Sequence, residues 1–190
     1  RPDSEEPMHD GALFRLASLS KSIVSFAALM QVDEGLLELD APVGNYLPEL
    51  DRLRMKSGAR PQRAPTVRDL MRHTSGLAYA SEIPDAELRA AAAQADFAGQ
   101  MPYVDAQAFL DALATAPLAA QPGTAFRYGY STDVLGMIVA KLDGLPLGLA
   151  LKTRIFERLG MHDSGFEVPS AAQGRLAAAY AEDAAWQARV

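Results

Sequence analysis

The 190-residue chain contains no cysteine. That excludes disulfides, a thiol nucleophile and any zinc site built on thiolates. Basic residues are in the minority: 18 Lys and Arg against 24 Asp and Glu leave a net charge of −6, the wrong sign for a protein whose main partner is a phosphate backbone. Nucleic acid is therefore not an expected ligand. Long apolar runs are missing too, since the richest, Ile23 to Met30, is far short of the roughly 20 residues that span a bilayer. Residues 1–17 carry acids where a signal peptide carries bases, so no membrane segment is expected. The histidines, His9, His73 and His162, are scattered without ligand spacing, and no metal site is expected. Strand-forming stretches are few and short, at 124–130, 165–168 and 176–180, too little for a complete sheet.

What remains is the composition of a packed domain, 49% hydrophobic and 22% charged. Residues 18–34 run without Pro or Gly and are apolar on nearly every face, which predicts a buried helix stopped by Gly35. Thr66 followed by Asp69 is a loose capping box opening a short helix that ends near His73. Ala/Leu-rich stretches bounded by Pro or Gly predict further helices at 85–97, 105–114, 132–143 and 147–159. The basic stretch Arg52, Arg54, Lys56, Arg60 and Arg63 reads as a solvated loop.

Ser18 and Lys21 stand three residues apart at a helix start, so their side chains project from one face. An amine beside a buried apolar helix can have its pKa lowered by desolvation and act as a base toward the hydroxyl, the chemistry of S-x-x-K enzymes. The competing interpretation is an N-cap serine with a surface lysine.

The surrounding segments decide between them. Leu13 to Lys21, Glu34 to Val43, Leu70 to Leu77 with its His73-Thr74-Ser75-Gly76 core, Pro122-Gly123-Thr124 with Tyr128, and Ile155 to Met161 occur in order over most of the chain. Together they resemble the serine beta-lactamase-related family of beta-lactamases, DD-peptidases and carboxylesterases. The resemblance implies an α/β (α+β) beta-lactamase/transpeptidase-like fold. Here it would comprise mostly the helical lobe and nucleophile helix, with the central antiparallel sheet largely missing. The chain would be a partial domain: nucleophile helix and following loop at 13–50, helical lobe with the second motif at 60–145, and a return toward the sheet at 146–190. It further implies Ser18 as nucleophile forming an acyl-enzyme, Lys21 as general base or proton relay, Tyr128 as its partner, and Tyr130 and Ser131 bordering the substrate, with no cofactor and no metal.

Two departures shape the expectation. Tyr128-Gly129-Tyr130 ends in Tyr where the family often has Asn, an amide suited to a beta-lactam or peptide. The run Tyr128 to Gly136 is closer to the carboxylesterase branch. No third motif follows Tyr180, so the second oxyanion-hole donor that the family takes from a later strand is not supplied; loss of one such donor costs about 10²–10³ in rate. The expected function is therefore a carboxylesterase acting on small or medium acyl esters. A beta-lactamase or DD-peptidase acting on a beta-lactam or peptide is the alternative within the class. A non-catalytic interaction module, its uncovered helix face favouring a homo-oligomer, is the alternative outside it. His73 is read as part of a structural loop, not as the base. Met101, Pro102 and Tyr103 are read as packing residues that could line an acyl pocket.

Overall fold

The computed structural model describes residues 9–93 and 105–178. A short 3₁₀ turn, Ala17–Leu19, leads into α1, Ser20–Asp33. After two 3₁₀ turns come β1, Arg54–Met55, then α2, Val67–Met71, α3, Ala86–Ala93, and α4, Ala106–Thr115. β2, Pro117–Leu118, pairs in parallel with β1, Arg54 opposite Pro117 and Met55 opposite Leu118. α5, Ser131–Asp143, ends at Gly144 in the left-handed conformation, and α6, Leu147–Leu151, continues as a π turn through Phe156.

The core forms where α1 crosses α5. Ala27 and Ala28 on α1 are fully buried and small, so the helices approach closely, and Val24 packs with Val134, Leu135, Ile138 and Val139 of α5 and Leu151 of α6. Leu37, Val43, Leu50 and Leu53 close the core from the loop after α1. One buried polar network bolts the C-terminal ends of these helices together. Gln31 Nε2 donates to Val139 O at 3.1 Å and Asp143 Oδ1 at 2.9 Å, and Arg154 bridges Asp143 at 2.6 Å and Glu34 at 2.8 Å.

α2 begins with the capping box expected of Thr66 and Asp69. Burial opposes the charge of Asp69, yet hydrogen bonds from Arg63, Thr66 and Thr74 outweigh it and hold the carboxyl at about 2. That carboxylate anchors the loop after α2, which carries residues 73–79 to the site.

The helices at 105–114, 132–143 and the start of 147–159 fall within a residue or two of expectation, and the one at 85–97 is described over Ala86–Ala93. Among the described residues the strands do not form where the sequence placed them. Residues 124–130 have no ladder because their backbone bonds singly to the 73–79 loop: Arg127 N to His73 O at 2.7 Å, and Tyr79 N to Tyr128 O at 3.1 Å. Residues 165–168 are irregular, and Leu176 makes only an isolated parallel bridge to Leu13. Among the described residues the one sheet is the β1/β2 pair. Three residues of the basic stretch form intramolecular pairs, Arg52 with Asp111, Lys56 with Asp85 and Glu87, and Arg63 with Asp69.

Candidate active site

Ser18 lies in the 3₁₀ turn just before α1, and Ala17 before it has φ 44°. A left-handed Ala costs roughly 1–2 kcal/mol, and such strained residues cluster at functional sites. Ser18 caps nothing: neither the 3₁₀ turn nor α1 has a side-chain cap bond at its start. Its Oγ accepts a 2.7 Å hydrogen bond from the Tyr128 hydroxyl, 110 residues away in sequence. The N-cap interpretation of Ser18 therefore falls.

Lys21 projects from the first turn of α1 toward the same phenol. Its Nζ lies 4.9 Å from the Tyr128 ring centroid and donates to the Tyr79 hydroxyl at 3.3 Å. The sequence led us to expect a lowered Lys21 pKa, and burial does act in that direction. Hydrogen bonding to Tyr128 and Tyr79 and attraction to Tyr79 and Asp133 outweigh it, so the pKa is raised and Lys21 is held as an ammonium ion. Tyr128 moves the other way. Its hydrogen bonds with Ser18 and Lys21 lower its pKa below the ordinary phenol value. The group brought nearest to working as a base is thus the phenol, with the ammonium stabilising its charged form.

Tyr79 is the residue that sequence reasoning missed. Burial raises its pKa, so it stays a neutral phenol, seated edge-on to Tyr128 at 5.5 Å and to Tyr130 at 4.6 Å. Its one sequence signal is an aromatic placed two residues beyond the Thr-Ser-Gly-Leu run, and only the folded loop delivers it to Lys21. Asp133, on the first turn of α5, is largely buried, which raises its pKa. Its Oδ2 has no hydrogen-bond partner, and the Lys21 charge partly offsets the burial.

The two residues expected to border the substrate lie behind the site. Tyr130 is 6% exposed and packs against Tyr79 and Phe109; Ser131 is fully buried, its Oγ 2.8 Å from Ser75 Oγ. Gly129 explains why the chain turns them inward. A Cβ there would lie 2.4 Å from Leu77 O and 2.5 Å from Tyr79 N. Only Gly lets the 128–130 segment press against the 77–79 loop, leaving Tyr128 half-buried and its neighbour in the core. Met101, Pro102 and Tyr103 lie outside the described residues. Among the described residues no group of His, Asp and Glu side chains is arranged to hold a metal ion.

An open cleft of about 450 Å³ adjoins Lys21, floored by Phe26, Leu29 and Met71 and edged by Ser22, Ser25 and Thr132. A larger groove of about 730 Å³ runs between residues 12–16 and 162–169 but includes none of Ser18, Lys21 and Tyr128. The smaller cleft is lined by Lys21 and His73, though not by Ser18 or Tyr128.

The sequence matches the family model described as Beta-lactamase over residues 2–190. The chain belongs to the beta-lactamase family. Esterase EstB of Burkholderia gladioli is 39% identical over 169 residues, 86% of this chain and 41% of EstB. Among solved structures, EstCE1, a hydrolase with promiscuous acyltransferase activity, is 29% identical with a TM-score of 0.79, covering 97% of this chain and 47% of EstCE1. A class C beta-lactamase is 28% identical with a TM-score of 0.66, over 90% of this chain and 42% of that one. The chain thus spans less than half the length of each of these relatives, and the beta-lactamase/transpeptidase-like fold is the fold of its neighbours. Hydrolases and an enzyme with acyl-transfer activity both stand among this beta-lactamase-family chain's relatives.

Proposed function

We propose that this chain carries the nucleophile and proton-transfer groups of a serine carboxylesterase acting on small or medium acyl esters through an acyl-enzyme on Ser18. The observation that carries the reading is the 2.7 Å contact between Ser18 Oγ and the Tyr128 hydroxyl, with the Lys21 ammonium beside the same phenol. Tyr128 as phenolate takes the Ser18 proton while Oγ attacks the ester carbonyl. As the tetrahedral intermediate collapses, the phenol returns the proton to the departing alkoxide, which leaves as the alcohol. A water molecule then repeats the exchange, releasing the acid and restoring Ser18. Lys21 keeps its proton throughout and stabilises the phenolate each time it forms.

Two observations favour an ester over a lactam. The position where the family often carries Asn is Tyr130 here, and its side chain is buried among aromatics, so it offers no amide to the cleft. The similarity to EstB and EstCE1 points the same way. A second reading, penicillin-binding activity, is supported by the class C likeness. A third, a non-catalytic module that self-associates, is supported by Leu19, Phe26 and Leu29, apolar side chains that α1 and the turn before it leave exposed.

Intact-protein mass after exposure to a p-nitrophenyl ester, a fluorophosphonate and a penicillin, in parallel with Ser18→Ala, separates these readings. The expected result is an adduct from the first two reagents that Ser18→Ala abolishes. Fastest labelling by penicillin would replace the esterase reading with the second. A folded chain that takes up no adduct and dimerises would replace it with the third.

A further inference from the structure

We propose that His73 is a positioning residue for Tyr128, fixing where its phenol meets Ser18 and Lys21; the proposal rests on the reading of Tyr128 as the proton carrier. His73 follows Arg72, the C-cap of α2, and has φ 52°, a left-handed conformation. From there its carbonyl accepts the Arg127 N–H at 2.7 Å, which pins the backbone immediately before Tyr128. Its ring lies 4.9 Å from that of Tyr128, centroid to centroid, at an interplanar angle of 35°. Its Nε2 is 3.3 Å from Thr132 Oγ1, tying the imidazole to the first turn of α5.

The Tyr128 ring is therefore bracketed. His73 stacks against it, Tyr79 meets it edge-on at 5.5 Å, and the Lys21 ammonium lies 4.9 Å from its centroid. A half-buried phenol without such walls would sample other rotamers, and a contact as short as the one to Ser18 would hold only part of the time. Position 73 has three requirements: tolerance of a left-handed backbone, a flat ring, and a polar edge for Thr132. Histidine meets all three, being among the non-glycine residues enriched in that conformation. Burial, and the charge of Lys21 after it, lower the His73 pKa and keep the ring neutral, so it adds no second cation to compete with Lys21. Its Nδ1 has no hydrogen-bond partner, so the contact with Thr132 is the polar tether of the ring.

The test compares His73→Asn, which accepts the same backbone conformation but has no ring, with His73→Phe, which restores a ring. Two quantities are read: the rate of fluorophosphonate labelling against reagent concentration, and the ionisation of Tyr128. The latter is followed by NMR of ¹³Cζ-labelled tyrosine, the signal being identified by its loss in Tyr128→Phe. For His73→Asn the expected result is a limiting labelling rate lower by about ten- to hundredfold with unchanged half-saturation, and a Tyr128 midpoint moved up toward that of a free phenol. His73→Phe recovers part of both, short of wild type because it lacks the polar edge for Thr132. A folded His73→Asn with wild-type rate and midpoint overturns the proposal, as does a folded His73→Phe no better than His73→Asn. Wild-type protein that never labels would sink the acyl-enzyme reading, whereas an upward midpoint shift in His73→Asn would still uphold the positioning role. Should His73→Asn not fold, Thr132→Val releases the imidazole from α5, and an unchanged Tyr128 midpoint there overturns the proposal.

Discussion

The two ends of the α1/α5 pair are built from similar side chains put to opposite use. At the C-terminal end Arg154 pairs with both Asp143 and Glu34 and Gln31 Nε2 donates to Asp143, although Gln31 Oε1 stays without a partner. Hydrogen bonds to Arg154 lower the Asp143 pKa, and those to Asp143 and Glu34 raise the Arg154 pKa, so each charge is favoured by the fold. At the N-terminal end, Ser18, Lys21, Tyr79, Tyr128 and Asp133 meet without such ion pairs. Asp133 is half-buried with one buried, unpaired oxygen and its pKa is pushed up, while that of Tyr128 is lowered. The first end is a clamp and the second is where the proposed proton transfer takes place. Perturbed groups of that second kind are what catalysis needs.

The comparison can be broken from either side. Tyr128→Phe removes the proton carrier and is expected to slow Ser18 labelling by about 10²–10⁴ while leaving the denaturant midpoint nearly unchanged. In the wild type, labelling should rise with pH to a plateau whose midpoint lies below the ordinary tyrosine value of 10.0, because the Tyr128 pKa is lowered. It should fall only above the ordinary lysine value of 10.5, because the Lys21 pKa is raised and the ammonium persists beyond it. A profile flat from neutrality upward would refute this order of ionisation.

Arg154→Ala attacks the clamp. It leaves the Asp143 side chain, 8% exposed, without its cation, at a cost of about 3 kcal/mol or more in unfolding free energy. Labelling per folded molecule should be unaffected, and a matching loss of rate would show that the two ends are not separable. Tyr79→Phe sharpens the contrast with the smallest change. Deleting one hydroxyl that accepts from Lys21 is expected to lower the labelling rate about fivefold, equivalent to about 1 kcal/mol. A rate equal to wild type would confine Tyr79 to a packing role.

Much of this was legible in the sequence because it is local. The helix over 18–34, the Thr66/Asp69 capping box and the Ser18/Lys21 spacing all depend on residues within one or two turns of each other. Tyr128 was legible through motif order, which is why it could be named without a contact. Its 2.7 Å bond to Ser18 was not. Tyr79 escaped because it reaches Lys21 across 58 positions, through a loop anchored by Asp69 and pressed against Gly129. The strand expected at 124–130 failed, and that at 176–180 shows only the Leu13 bridge among the described residues, because strand propensity cannot say whether a neighbouring segment offers a ladder or a single bond.

By itself, then, the sequence determined most of the helices, the Ser18/Lys21 spacing and the family, all of which follow from short-range periodicity and ordered motifs. Tertiary structure alone decided which phenols meet the lysine, that Tyr130 and Ser131 turn into the core, and that Lys21 keeps its proton. The last is the sharpest case. Burial alone would have lowered the lysine pKa, and the opposite sign comes from hydrogen-bonding and charged partners that three separate segments, 77–79, 128–130 and the first turn of α5, bring within reach of one amine.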